Sequence, residues 1–450
     1  MRSTLIRLEL GLLRRDRASL VVMAVFAVLV AWASWQGGAR IDQRVAADRA
    51  AADSAGTRLN KAIEDGVSAE AAGRDAVRPV AVLPPRPLGG VVDRQAGPTR
   101  VEATVAPMLE AKARDALDAE AQAAGPLDLL FVLIQLLPLV VIALSYDILA
   151  GDRERGTLTL LMSQPLRLRD LLLAKAIARL IALALIMIVA VAVALASGAM
   201  DVTQPGGVSD LLWMLGLVIL WMAFWFAAAL AVNAWGKTSS GNALALTTLW
   251  LVLVVVGPGL MRAAVEAAYP PPSRVALATA ARDAAAASEE ALEAIEGDHR
   301  EGKEQPRSDK EAGRAAAERE LRARLSPLKQ GFETALGQQQ ETIDSLRVLS
   351  PALASSEALV AIAGEDLARR RAWLTSVEGW HTSLRKWFAQ ERARGGAPRL
   401  EQMPRFAPHV EAAPGLSERL TFDVLILMFW TLGALGIGAL GLRREMGRLT

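Results

Sequence analysis

The chain has 450 residues, 52% of them hydrophobic and 22% charged, with 50 Lys and Arg against 48 Asp and Glu. A net charge of +2 leaves no electrostatic footprint for nucleic acid. The absence of cysteine excludes disulfides, thiolate metal sites and a thiol nucleophile, and His299, His381 and His409 are scattered without metal-ligand spacing.

Residues 1–18 read as an amphipathic helix lying in a membrane interface. Leu5, Leu8 and Leu12 share one face, with Arg7, Arg14 and Arg15 mostly elsewhere. Six apolar runs follow, at 19–36, 127–149, 171–198, 211–235, 242–265 and 421–442. Each can cross a hydrocarbon core of ~30 Å, which takes about 20 helical residues. The first run carries Ala31-Trp32-Ala33, which mimics a signal-peptidase site, but the segment before it is too long and too amphipathic for a signal peptide. The fold class expected is therefore an all-α membrane protein with six transmembrane helices.

Basic residues flank the N-terminus (Arg2, Arg7, Arg14, Arg15, Arg17), the loop between the second and third runs (Arg153, Arg155, Arg167, Arg169, Lys175), the turn at Lys237 and the tail at 443–450 (Arg443, Arg444, Arg448). The short loop 198–210 has no Lys or Arg. With six spans, all four basic segments share one side, and both termini are expected in the cytoplasm.

Two long insertions, 37–126 and 266–420, are then expected on the opposite, periplasmic side, forming a large and mainly helical domain. The first has a helical start and return around a proline-rich middle. The second is rich in Ala, Glu, Arg and Gln, which favour helix, with breaks expected near Pro306, Pro327 and Pro351. Within it Leu346, Leu353, Val360, Leu367, Leu374 and Phe388 follow a seven-residue spacing, with His381 in register and Leu349, Ala363, Val377 and Leu384 at complementary positions. That seam serves either packing within the domain or an intermolecular coiled coil.

Ala231 to Thr238 is the nearest approach to a phosphate loop. It lacks the first glycine and follows an apolar run rather than a strand, so it is rejected, and Lys237 reads as a topology anchor. Inside the runs the polar candidates are Gln135, Asn233 and Asn242, with Asp147 near one end; such residues face another helix or a cavity. Pro138 and Pro258 are expected to kink their helices. Ala434, Gly438 and Gly441, near Gly433 and Gly436, give the last run small-residue faces for packing within one protomer or across a dimer. Trp32, Trp35, Trp213 and Trp235 sit where interfacial anchors belong.

The most distinctive stretch is Asp152-Arg153-Glu154-Arg155-Gly156-Thr157-Leu158, followed by Leu160-Leu161, Ser163, Pro165 and a basic helix from Arg169 to Lys175. It resembles the ABC-2-type permeases, the membrane subunits of a class of ABC exporters. A second stretch, from Leu349-Ser350-Pro351-Ala352-Leu353 through Glu357, Gly364 and Arg369-Arg370 to Trp373 and Val377-Glu378, resembles a permease subfamily with a large helical extracytoplasmic insert. Asp152 stands where that motif more often has Glu.

The resemblance implies an exporter-type permease in a bacterial inner membrane. It would work as a homodimer or heterodimer with a second permease and bind no cofactor itself, with ATP and Mg held by separate ATPase subunits. It implies no enzymatic chemistry of its own, lipid around the spans, and a possible periplasmic partner. Asp152, Arg153, Glu154, Arg155, Gly156, Thr157, Leu158 and Leu161 are then expected to form the coupling segment, a short helix seated in the ATPase, whose charges orient the dock more than they strengthen it. The alternative is a mechanotransmitter that works on a periplasmic partner and transports nothing.

Overall fold

The computed structural model describes residues 2–93, 99–103, 127–157, 168–236, 238–270, 334–395, 397–407 and 415–449, with isolated positions between 279 and 331. Helix α1 covers Arg2–Leu13 and α2 Arg17–Glu64, with Asp16 capping the start of α2. The second span, α3, is Leu129–Glu154; α4 is Leu168–Ala196, α5 Gly207–Trp235 and α6 Ser239–Ala268. Helices α7 (Pro351–Ala363) and α8 (Leu367–Arg394) precede the last span, α9 (Leu416–Leu449). Among the described residues, six helices are long and apolar enough to cross a membrane, α2 to α6 and α9.

Helices α3 and α5 form the centre of the bundle. Trp221, Phe224 and Trp225 of α5 are buried together: Trp221 stacks on Phe224 at 5.7 Å, and Trp225 meets both edge-on. The outer helices keep apolar faces exposed, including Leu185, Ile188 and Val189 on α4, Leu244 and Leu260 on α6, and Phe429 and Leu432 on α9. Faces this large and greasy are covered by lipid in a membrane protein. Gly438 and Gly441 let α9 lie directly on α5, near Ala231 and Trp235, while Gly433 and Gly436 look onto open space. The small residues at 438 and 441 are thus used within the protomer.

Two proline positions produce widened turns. A π-helical turn at Val132–Leu136 precedes Pro138, and another at Leu251–Val256 precedes Pro258. Proline supplies no N–H and crowds the preceding turn, so carbonyls there are released. Indole donors take up two of them: Trp221 Nε1 bonds Leu133 O at 3.1 Å and Trp250 Nε1 bonds Gln135 O at 3.0 Å. Gln135 thus reaches its neighbouring helix through its carbonyl.

Both termini and the joins 150–157 and 236–239 lie at one end of the bundle, here the terminal side. The insertions lie at the other, the insert side. Helix α2 leaves the bundle at Gly37-Gly38, where a Cβ would stand 2.2 Å from Gly90 O and 2.0 Å from Ser197 O respectively. Three backbones touch there, and only glycine permits it.

Beyond that point the two insertions share one hydrophobic core. Ala62, Val77, Leu83 and Val101 of the first pack against Trp373, Val377, Leu384 and Phe388 of the second. A two-stranded antiparallel ribbon, β1 (Val80–Val82) with β2 (Arg100–Glu102), lines the first insertion. The helical return expected at its end falls on 104–126, outside the described residues.

The seven-residue seam is not one helix. Ser350 and Pro351 start α7, Gly364 ends it with φ +75°, and Asp366 caps α8 by accepting from Arg369 N. Trp373, Val377, Leu384 and Phe388 point into their own domain, which accounts for the periodicity without a second chain. Pro327 is itself helical, and Pro306 lies outside the described residues.

One stretch departs from the expected division at 266–420. Trp430 Nε1 donates to Val348 O at 3.1 Å and Ser350 Oγ to Leu253 O at 3.4 Å, contacts at mid-length of α9 and α6. Helix α7 is almost wholly buried and packs against α5 and α9. The second insertion therefore dips into the bundle and climbs back out along α7. The apolar composition of α7 (PALASSEALVAIA) suits that position.

Buried charges join the insertions to the span ends. Arg86 pairs with Asp210 at 2.6 Å at the start of α5, and Glu365 receives Arg44 at 2.7 Å and Arg370 at 3.2 Å. Arg369 donates to the carbonyls of Gly364 at 3.0 Å and Pro84 at 2.8 Å. Burial, reinforced by the nearby Arg86 cation, lowers the Arg369 guanidinium to about 10. Burial also pushes the Asp366 carboxyl up, although Arg369 N–H and Arg419 pull the other way.

Gly364→Ala forces an L side chain into a left-handed backbone with Arg86 Cδ only 2.3 Å from the new carbon. It should cost about 1–3 kcal/mol and lower the melting temperature in detergent. Gly379→Ala, on an open face of α8, should leave stability unchanged or raise it by up to about 1 kcal/mol, with the melting temperature held or raised.

Candidate functional site

Helix α3 is not regular to its end. α-Helical bonding stops at Ser145, residues 146–149 turn, and a single helical turn resumes at Ala150–Glu154. No proline or glycine lies between 144 and 150, so the break is held from outside. The carbonyl of Leu144 accepts from Arg179 Nε. That of Ser145 accepts from Asn233 Nδ2 at 3.0 Å, and that of Tyr146 from Asn242 Nδ2 at 3.2 Å. That of Ile148 accepts from Lys175 Nζ at 3.1 Å. The N–H groups of Leu149 and Ala150 both point to Asn233 Oδ1, at 3.2 and 3.4 Å. Side chains from α4, α5 and α6 thus replace the missing helical bonds.

Asn233 is the centre of this arrangement. Its amide also donates to Ala229 O at 2.9 Å and its oxygen accepts from Asn242 at 3.1 Å. It is 1% exposed, so every one of these bonds is shielded from water. Asp147 sits half-buried on the turn itself, and Gly151 above it leaves room for the Asp147 and Arg155 side chains.

The cations of the clamp have acidic partners. Lys175 forms a buried ion pair with Asp152, which also accepts from Arg155 Nη2 at 3.2 Å. Thr157 Oγ1 closes the turn by donating to Asp152 O at 3.1 Å. Arg179 faces Glu9 at 3.9 Å, and this contact seats α1 against α4. Burial pushes the Glu9 carboxyl up, against the opposing pull of Lys175 and Arg179. Leu8 and Leu12 of α1 remain exposed beside Arg14 and Arg15, the arrangement of a helix in a lipid interface.

A second seam joins the elbow to the turn between α5 and α6. Arg153 Nη1 donates to Gly236 O at 2.6 Å. Glu154 accepts from Ser239 N at 2.7 Å and Ser239 Oγ at 2.8 Å, supplementing the Thr238 cap of α6. Gly236 is obligatory, because a Cβ there would lie 1.7 Å from Asn242 Oδ1.

Of the residues read as a coupling segment, Asp152 is therefore an internal anchor, and Arg153 and Glu154 are engaged with the neighbouring turn. Arg155 and Gly156 form the exposed tip, with Gly156 at φ +71°. Leu158 and Leu161 lie outside the described residues. Asn233 joins the elbow; Gln135, in the π turn of α3, lies elsewhere. Sequence reasoning gave no site role to Arg179, Glu9 or Ser239; it marked Asn242 only as an intramembrane polar residue and Lys175 only as the end of the basic helix after the motif. Arg179 carried a usable signal, as a cation two turns inside an apolar run and one turn beyond Lys175.

Lys175→Met should strand a buried carboxylate and destabilise by about 3–5 kcal/mol, whereas Lys175→Met with Asp152→Asn should lose less; thermal melts in detergent decide between them. Asn233→Ala should leave buried backbone groups unpaired, at about 1–3 kcal/mol each. Hydrogen exchange should then accelerate at the Leu149 and Ala150 amides, and unchanged exchange would refute the clamp.

The model of one protein family, described as ABC-2 family transporter protein, matches residues 3–445 of the chain. No curated protein matches the sequence.

Proposed function

The chain belongs to the ABC-2 family of transporter proteins, and from that premise we propose that it is the permease subunit of an ABC exporter driven by a separate ATPase. The ATPase subunits hold ATP and Mg and seat on the exposed tip at Arg155 and Gly156 and the residues that follow it. The terminal side faces the cytoplasm of a bacterium and the insertions face the periplasm, in the inner membrane. Two permease copies, identical or related, make the working unit.

The observation that carries this reading is the elbow. An exposed, charged tip stands on a turn whose base is fixed by buried polar bonds to α4, α5 and α6. A force on the tip reaches three spans through short bonds rather than dissipating in a loose loop. Motion then passes to the bundle as rigid-body displacement.

A second reading is favoured by the insert side. The two insertions share a core and are joined by buried ion pairs to the ends of the spans. Such a body can pass mechanical work to a periplasmic partner without moving a solute. Vesicles holding the full complex separate the two readings, since only an exporter accumulates or releases a cargo with ATP.

Arg155→Glu reverses the charge at the tip, whose guanidinium is 63% exposed. Co-purification with its partner ABC ATPase should fall at least about tenfold, the equivalent of 1.4 kcal/mol, while the permease still folds and inserts. Undiminished capture by this variant and by one lacking residues 155–157 would remove the tip as the docking surface.

A further inference from the structure

We infer that Glu154 is a positioning residue that fastens the elbow to the start of α6, so that α6 moves with the docking segment. The inference rests on the reading that an ATPase seats on the elbow, and it gives Glu154 a role other than contact with that ATPase.

Three observations support it. Both carboxylate oxygens of Glu154 are occupied by donors of one residue, Ser239 N at 2.7 Å and Ser239 Oγ at 2.8 Å. An acid at that position also meets the positive end of the α6 dipole. The join is continued inward by Arg153 on Gly236 O and by Asn242 on Tyr146 O, so elbow and turn meet along a seam rather than at a point. Finally, α6 is the span least enclosed by the rest of the bundle, yet its middle bonds Ser350, where the second insertion dips in. An element held loosely along its sides and tied at its start and middle transmits displacement along its length. By this route a push at the elbow reaches α7 and the insert domain.

Ser239→Pro tests the join without breaking the helix. Proline lacks the N–H and the hydroxyl, but the first position of a helix accepts it. Thr238 already has the extended backbone that a residue before proline needs, with φ −124° and ψ 146°. Ser239→Thr keeps both donors. The chain has no cysteine, so Leu244→Cys, on an exposed face of α6, takes one environment-sensitive fluorophore per copy of this chain, attached before the permease is combined with its ATPase into the complete complex.

The expected result is an ATP-dependent change in fluorescence in the parent and in Ser239→Thr. That change should be lost in both Ser239→Pro and Glu154→Ala, with ATPase co-purification retained throughout. An equal response in Ser239→Pro or Glu154→Ala overturns the inference. So does a parent that shows no response to ATP, and so does loss of the ATPase in Glu154→Ala alone, which makes Glu154 a docking residue. A parent that captures no ATPase refutes instead the function proposed above.

Discussion

A break in a helix among apolar neighbours is costly, because no water is present to take up the freed N–H and C=O groups. The turn at 146–149 of α3 is such a break, and much of the terminal side follows from it. Its carbonyls require donors, which come from Lys175, Arg179, Asn233 and Asn242. Two of those donors are cations and need acids, which come from Asp152 and Glu9. Asp152 then orients the elbow, and Glu9 seats α1. An irregularity spanning four residues thus dictates the polar residues of three spans and the position of the N-terminal helix.

The insert side solves the same problem with arginine. Where α7 ends at Gly364, the chain must turn in a buried place, and Arg369 binds both the Gly364 carbonyl that the turn exposes and the Pro84 carbonyl of the first insertion. Arg44, Arg86 and Arg370 bring compensating contacts to Glu365 and Asp210. A planar guanidinium that makes several bonds at once suits this work better than an ammonium. At both ends, long cationic side chains from one element complete the backbone of another, and that welds segments far apart in sequence.

The spans were legible because an apolar run of membrane length has few other uses, and the common side of the termini followed from the arginines. Gly37, Gly38 and Gly364 were visible as letters, but their necessity depends on backbones that approach from elsewhere. The seven-residue seam runs over α7 and α8, because hydrophobic spacing can persist across a helix break. The break signals, Ser350-Pro351 and Ala363-Gly364, were present and outrank periodicity. Of the elbow, the charges of Asp152 and Glu154 were legible as a motif and their contacts were not. Ser239 is 85 residues from Glu154, and a lone serine at a turn advertises nothing. Asn233 was noticed for being polar, whereas its bonds to Ser145, Leu149 and Ala150 belong to the folded chain alone.

Helix α2 runs without interruption through 48 residues, from the lipid interface to the far end of the first insertion. At 1.5 Å per residue it is a rod of about 72 Å, of which about 40 Å projects past Gly38. The glycine crossing grips the rod between its two arms. A tilt of about 10° at that fulcrum, small enough for side-chain packing to absorb, sweeps the outer tip through about 7 Å. The inner arm, from Arg17 to Gly38, is about 32 Å long, so the rod is a nearly balanced lever: a shift of its inner end among the spans returns at Glu64 reversed in direction and about equal in size.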